Sequence, residues 1–180
     1  MKNLSLHIID IFQNSVSAKA HKIELIIVED RINDILRISI YDDGVGMSEK
    51  VVAQVVDPFY TTRTTRKVGL GIPLFKQNAE STGGSFKIVS KEGVGTKIDA
   101  EFGHAHIDRQ PFGDIAGAVV LTATSYPDVR FVYTHTVDDK TFVFDTQEVY
   151  ELLEGISVQS PEVVLMLKEF IENNLDEINN

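Results

Sequence analysis

An α+β sandwich, in which helices cover one mostly antiparallel sheet, is the fold class this 180-residue sequence predicts. Three observations predict it. Apolar residues repeat at helical spacing in the opening segment and then alternate in two consecutive strand-length runs. Two further helical segments follow. The alternation then returns on both sides of a glycine turn. The resulting order over the first hundred residues is α-β-β-α-α-β-β, and runs joined by short turns pair as antiparallel neighbours.

Residues 4–18 form the first helix, with Leu4, Ile8, Ile11, Phe12 and Val16 on a core stripe and His7, Asp10, Asn14 and Ala18 on another. Ile23, Leu25 and Ile27 alternate, Asn33-Asp34 turns the chain, and Leu36, Ile38 and Ile40 alternate into Asp42. Ser48 caps a short helix to about Val56, which Asp57-Pro58 breaks. Residues 59–69 are polar, Thr-rich and basic, and are expected to be a mobile lid. A helix runs from about Leu70 to Thr82, with Pro73 in its first turn and Gly83-Gly84 at its end. Phe86/Ile88 and Ile98/Ala100/Phe102 make a hairpin across Lys91–Gly95.

Beyond Gly103 the pattern is less decided. Ile115, Ala118, Val119 and Thr122 have helical spacing to about Thr124, while the β-branched run 119–124 also suits a strand. Phe131/Tyr133/His135 and Phe142/Phe144 form a hairpin turned at Asp138-Asp139. Residues 147–153 and 160–173 read as helices, the second opened by a capping Ser160 and Pro161 at its first position.

The net charge of −10 sits in one half. Residues 1–103 carry 13 acidic and 13 basic side chains, and residues 104–180 carry 14 and 4. This shift places a domain boundary near Gly103, dividing the chain into 1–103 and an acidic αβ annex, 104–180. It argues against nucleic-acid binding, which needs a positive face. With no cysteine, the chain has no disulfide, thiolate zinc site or thiol nucleophile. No apolar run approaches a membrane span and no signal peptide is evident, so a cytoplasmic location is expected.

Several residue types at these positions carry chemistry. Asp10 and Asn14 lie one turn apart on one helix face, where a carboxamide can hold Mg²⁺ and a carboxylate can polarise an attacking group. Asp42 ends a strand, where its carboxylate can accept from an exocyclic amine such as adenine's. Gly44 and Gly46 let the backbone pass close beneath a flat ring. Gly69 and Gly71 flank Leu70 before a helix whose amides can bind phosphate. Arg63, Arg66 and Lys67 can neutralise a triphosphate. His7 shares the Asp10 face and is open to a phosphate-facing or a structural reading. His21 and His135 have no motif around them. No His/Asp/Glu spacing points to zinc.

Taken together, these pieces resemble the GHKL ATPase superfamily of gyrase, ninety-kilodalton heat-shock chaperones, histidine kinases and MutL. Leu6 to Ala20 resembles its N box, with Asn14 at the magnesium position, and Asp42-Asp-Gly-Val-Gly46 its adenine box, with Asp42 reading adenine. Asp57-Pro-Phe-Tyr-Thr-Thr-Arg63 resembles the phenylalanine box of histidine kinases, and Val68-Gly-Leu-Gly-Ile72 the second glycine box. Gly93-Val-Gly-Thr96 resembles the last box, where Thr96 helps hold adenine. The resemblance implies the αβ "Bergerat" sandwich and ATP·Mg²⁺ as cofactor. Asp10 stands where gyrase-like and MutL-like members carry a Glu, one methylene longer. Ser17 stands where histidine kinases often have Lys or Arg. The lid between Phe59 and Gly69 is short.

The chain begins almost at the N box, so the phosphoacceptor hairpin that precedes this domain in histidine kinases is expected to be missing. His106-Ile-Asp-Arg-Gln-Pro-Phe faintly resembles a phosphoacceptor box, but its second position is Ile107 and it follows the ATP domain. The plainer reading makes His104 and His106 turn residues with Asp108 and Arg109 as local partners. The resemblance implies a kinase-like protein acting on a partner protein, with Asp10 orienting the acceptor; the annex is open to extending the first domain's sheet, docking a partner or mediating a homodimer. A slow ATPase switch and a non-catalytic nucleotide-binding module are the alternatives.

Overall fold

The structure, a computed structural model, describes residues 2–57 and 70–180. The expected lid, with Phe59, Tyr60, Arg63 and Gly69, lies outside the described residues. Six strands make one sheet: β1 (Lys22–Asp30), β2 (Ile35–Asp42), β3 (Ser85–Lys91), β4 (Gly95–Gly103), β5 (Arg130–Val137) and β6 (Lys140–Asp145). Their spatial order is β3-β4-β2-β1-β5-β6. Every neighbouring pair is antiparallel except β1 with β5, which run parallel. The fold is therefore α+β with a mixed, mostly antiparallel sheet.

The alternation in the sequence decides which face is covered. Ile23, Leu25 and Ile27 of β1 and Leu36, Ile38 and Ile40 of β2 are all buried, while the residues between them are not. Helices α1 (Leu4–Ser17), α3 (Gly71–Ser81), α4 (Ile115–Ser125) and α6 (Pro161–Asn179) contribute to the same core. The short helices α2 (Glu49–Val55) and α5 (Thr146–Leu152) pack near β3 and β5. Burying one such aliphatic side chain is worth about 1.5–3 kcal/mol, so this shared face is the main stabilising term.

Residues 104–180 add β5 and β6 to the sheet of the first half and α4 and α6 to its helix layer. The β-branched run 119–124 is helical, within α4. Helix α6 runs past the expected end at 173 to Asn179, because Ile171, Leu175 and Ile178 keep the apolar stripe going. Pro161 opens α6 as expected, but the Ser160 side chain makes no capping hydrogen bond.

Two features tie the halves together. The first is a strap after β4. The Leu4 and Ser5 N–H groups, unsatisfied within α1, donate to the Pro111 and Phe112 carbonyls at 2.9 and 2.8 Å. The second is a buried chain of polar side chains. Glu29 ends the apolar row of β1 and is 5% exposed. Its carboxylate accepts from His104 Nε2 and His135 Nε2, each at 2.7 Å. Tyr133 Oη lies 2.6 Å from His135 Nδ1, and burial together with the Glu29 charge pushes the hydroxyl's pKa up, keeping it protonated. Burial pushes the Glu29 carboxyl up, but the hydrogen bonds and charge of His135 and His104 outweigh it and hold the group below the usual carboxylate range.

Candidate functional site

Asp42 continues the buried row Leu36, Ile38, Ile40 and closes it, so its carboxylate emerges on the helix side at the end of β2 and is 6% exposed. Two neutral donors hold it. Ser15 Oγ donates to Oδ2 at 2.6 Å, and the Gly44 N–H donates to Oδ1 at 3.0 Å. A carboxylate offers about four acceptor sites, so each oxygen keeps capacity for a further donor. Thr96 is the direct cross-strand partner of Asp42. Its hydroxyl lies 2.8 Å from Ser90 Oγ, which also accepts the Met47 N–H at 2.8 Å and donates to the Gly95 carbonyl at 3.0 Å.

The glycines of the Asp42–Gly46 segment permit close approach to the chain itself. Gly46 has φ +67°, and a Cβ there would lie 2.0 Å from the Lys91 carbonyl oxygen. Between the glycines, the Val45 N–H donates to the Ala18 carbonyl at 2.8 Å and the Val45 carbonyl accepts the Gly93 N–H at 2.7 Å. This segment is thereby clamped between the end of α1 and the β3–β4 turn. Asp43 contributes as well, its Oδ1 accepting the His21 and Lys22 N–H groups at 2.7 and 2.9 Å.

Asn14 is half-buried on α1, next to the Ser15 that reaches Asp42. One turn earlier lies Asp10, against the start of α3. A Cβ on Gly71 would sit 1.8 Å from Asp10 Oδ2, so a side chain there would push the Asp10 carboxylate out of its place. Asp10 Oδ2 is buried and has no hydrogen-bond partner among the described residues. Helix α3 has no acidic residue in its first turn and no side-chain cap, and Leu70 precedes it, largely exposed. Its N-terminal amides and dipole suit an anion.

The structure thus brings Asp42, Gly44, Gly46 and Thr96 into one cluster, linked to Asn14 through Ser15. A few residues away it sets Asp10 against Gly71. This donor and acceptor set fits a nucleotide with Mg²⁺: a carboxylate with spare acceptor capacity for an amine, a carboxamide oxygen for the metal and a helix N-terminus without a side-chain cap among the described residues for phosphate.

Sequence reasoning missed Ser15 and Ser90. Ser15 left a signal, because it falls on the Leu4, Ile8, Ile11 stripe, and a hydroxyl there needs a buried partner. His7 is buried, 1% exposed, with Nε2 3.0 Å from Gln110 Oε1. His104 and His106 lie in turns. His106 Nδ1 accepts the Asp108 N–H at 3.1 Å, and Arg109 Nε donates to the His104 carbonyl. The His104 side chain instead reaches Glu29, a partner the sequence did not suggest.

Comparison with known proteins bears on the family and the fold. Over 63 residues the chain is 38% identical to sporulation kinase E of Bacillus subtilis (strain 168), covering 35% of this chain and 8% of that one. Over 70 residues it is 37% identical to the sensor histidine kinase WalK of the same organism, covering 36% of this chain and 12% of that one. The chain thus matches only a small part of these relatives. The solved Aquifex aeolicus MutL ATPase domain complexed with ADP superposes with a TM-score of 0.52 and 17% identity, over 86% of this chain and 70% of that one. That likeness speaks to the fold alone, and it extends beyond the first 106 residues. Residues 1–106 match the model of the histidine kinase-, DNA gyrase B-, and HSP90-like ATPases, and the chain belongs to that family.

Proposed function

We propose that this protein binds ATP·Mg²⁺ and acts as a kinase-like regulator of a partner protein in the cytoplasm. In this reading Asp42 accepts the adenine amine, with Thr96 and the Gly44–Gly46 backbone completing the base site. The N-terminal amides of α3 from Gly71, with Leu70, Gly69 and Arg63 before them, hold the phosphates. Asn14 supplies an oxygen to Mg²⁺, which would neutralise charge on the β- and γ-phosphates. Asp10 orients the acceptor side chain. The bond between the γ-phosphorus and its bridging oxygen breaks, ADP leaves, and the phosphoryl group is bonded to a nucleophilic side chain of the partner.

The observation that carries the nucleotide reading is Asp42. A buried carboxylate held by one hydroxyl and one backbone N–H keeps half its acceptor sites for a ligand. Titration calorimetry with Mg·ATP tests it. The unmutated protein should bind, and Asp42→Asn should bind about 10- to 100-fold more weakly, the effect of removing a charge-assisted hydrogen bond. No binding by the unmutated protein overturns the reading.

One observation favours the second reading, a slow ATPase switch. Asp10 Oδ2 is buried against Gly71 at the start of α3. A shift of that helix end on phosphate binding would be felt directly by α1. Release of inorganic phosphate without any partner present favours the switch; labelling of a partner favours the kinase.

A further inference from the structure

His7 is the third member of the α1 face that carries Asp10 and Asn14, at spacings of three and seven residues. It is buried at the α1–α3 seam, its ring tilted on Phe75 of α3 at 5.7 Å between centroids. Asp10 closes the same seam against Gly71. Each of these side chains leaves one buried atom, His7 Nδ1 and Asp10 Oδ2, without a hydrogen-bond partner among the described residues. Such an atom costs about 1–3 kcal/mol, and apolar residues would pack this seam without that cost. Packing alone therefore does not account for two polar residues here.

The partner that His7 does have comes from outside the family match. Gln110 belongs to the strap whose next two carbonyls, of Pro111 and Phe112, hold the first N–H groups of α1. With the amide oriented so that Gln110 Oε1 faces the ring, His7 Nε2 donates to it and carries the hydrogen. Burial, working against the hydrogen bonds to Gln110 and to the Gly71 backbone, holds His7 below the ordinary imidazole value, which favours the neutral ring. A neutral ring protonated at Nε2 has a bare Nδ1. The ring has one hydrogen to give, so the Gln110 oxygen and the Gly71 carbonyl beside it compete for that hydrogen, and Asp10 Oδ2 stays uncommitted while Gln110 holds it.

We propose that His7 is a positioning residue for the phosphate end of the nucleotide site, and that Gln110 sets it by fixing the Nε2-protonated tautomer. The proposal rests on the nucleotide reading above. Through it, the acidic C-terminal half acts on the site without touching the nucleotide: displacing Gln110 frees His7 to take the other tautomer, and Nδ1–H then competes for the Gly71 carbonyl and Asp10. There is room for such a displacement. A cavity of about 220 Å³ adjoins the pair, lined by His7, Leu74, Gln77, Asn78, Ser81 and Gln110.

The test uses Gln110→Met, which keeps length and packing and removes the acceptor. Nitrogen-15 NMR of the full chain should find His7 Nδ1 unprotonated in the unmutated protein and a tautomer mixture in the variant. Calorimetry should find Mg·ATP bound about 3- to 10-fold more weakly by the variant, the effect of one neutral hydrogen bond, with AMP binding and the thermal midpoint nearly unchanged. Equal losses for ATP and AMP, or no loss for either, overturn the positioning role, as does a protonated Nδ1 in the unmutated protein. Absence of Mg·ATP binding by the unmutated protein overturns instead the nucleotide reading beneath it.

Discussion

Asp42 and Glu29 lie on the same face of neighbouring strands, at opposite ends of the sheet, and are held in different ways. Asp42 faces Ile23 across the β1–β2 pair and Glu29 faces Leu36, so the two carboxylates close the same apolar row from its two ends. Asp42 has a hydroxyl and a backbone N–H as donors. Glu29 has two imidazoles, one of them backed by a buried tyrosine. The hydroxyl and the backbone N–H on Asp42 orient its carboxylate and leave it able to accept more. On Glu29 two buried imidazoles take up both carboxylate oxygens and tie them into the fold. Burial alone does not distinguish a ligand-facing carboxylate from a structural one, but the donors do.

This contrast can be broken at several points. The largest effect is expected at Glu29. Glu29→Gln should cost about 3 kcal/mol in denaturant unfolding, because it leaves a buried polar chain without its anion. Mg·ATP affinity should hardly change, and a large loss of affinity would erase the contrast. The depressed Glu29 pKa also sets a sign. Its stabilisation is fully present above the unfolded carboxylate value and is lost as the pH falls through the lower folded value, so Glu29→Gln should flatten that acid limb.

Gly46→Ala comes next. Its Cβ would meet a backbone carbonyl at a left-handed φ, so a loss of about 2–3 kcal/mol is expected, together with weaker binding of ATP and AMP alike. If the two ligands respond differently, the segment does not serve the base site. The smallest effect belongs to Ser15→Ala. Removing one neutral donor from Asp42 should cost about 1 kcal/mol and weaken nucleotide binding about 5-fold, read by calorimetry at constant salt. An unchanged affinity would mean that the Ser15 bond is structural, as the Glu29 bonds are.

Much of this was legible in the sequence because local pattern carried it. Period-2 runs ending in Asp42 and a helical stripe carrying Asp10 and Asn14 fix both where these residues lie and which way they face. The sheet's extension into residues 104–180 was less legible. The hairpin of Phe131–Phe144 is a local signal, but its parallel pairing with β1 joins residues such as Lys22 and Arg130, and no local pattern records that. The pairing of Glu29 with His135 was not legible for a related reason. Each sits on the buried parity of its strand and each needs the other as partner, so neither explains itself alone. His7 was ambiguous because its face borders both the site and the α3 seam, and only the strap settles which it meets.

The parallel β1–β5 pair also orders events in time. Strand β1 finds its antiparallel neighbour β2 across a short turn, but its other edge waits for a strand about a hundred residues downstream. During synthesis that edge, carrying Ile23, Leu25 and Ile27, stays uncovered until the chain has grown through Val137. An unpaired apolar edge is a template for aggregation. The second half of the chain therefore protects the first while it matures, and the nascent protein is most vulnerable after its nucleotide-binding motifs have emerged and before β5 arrives.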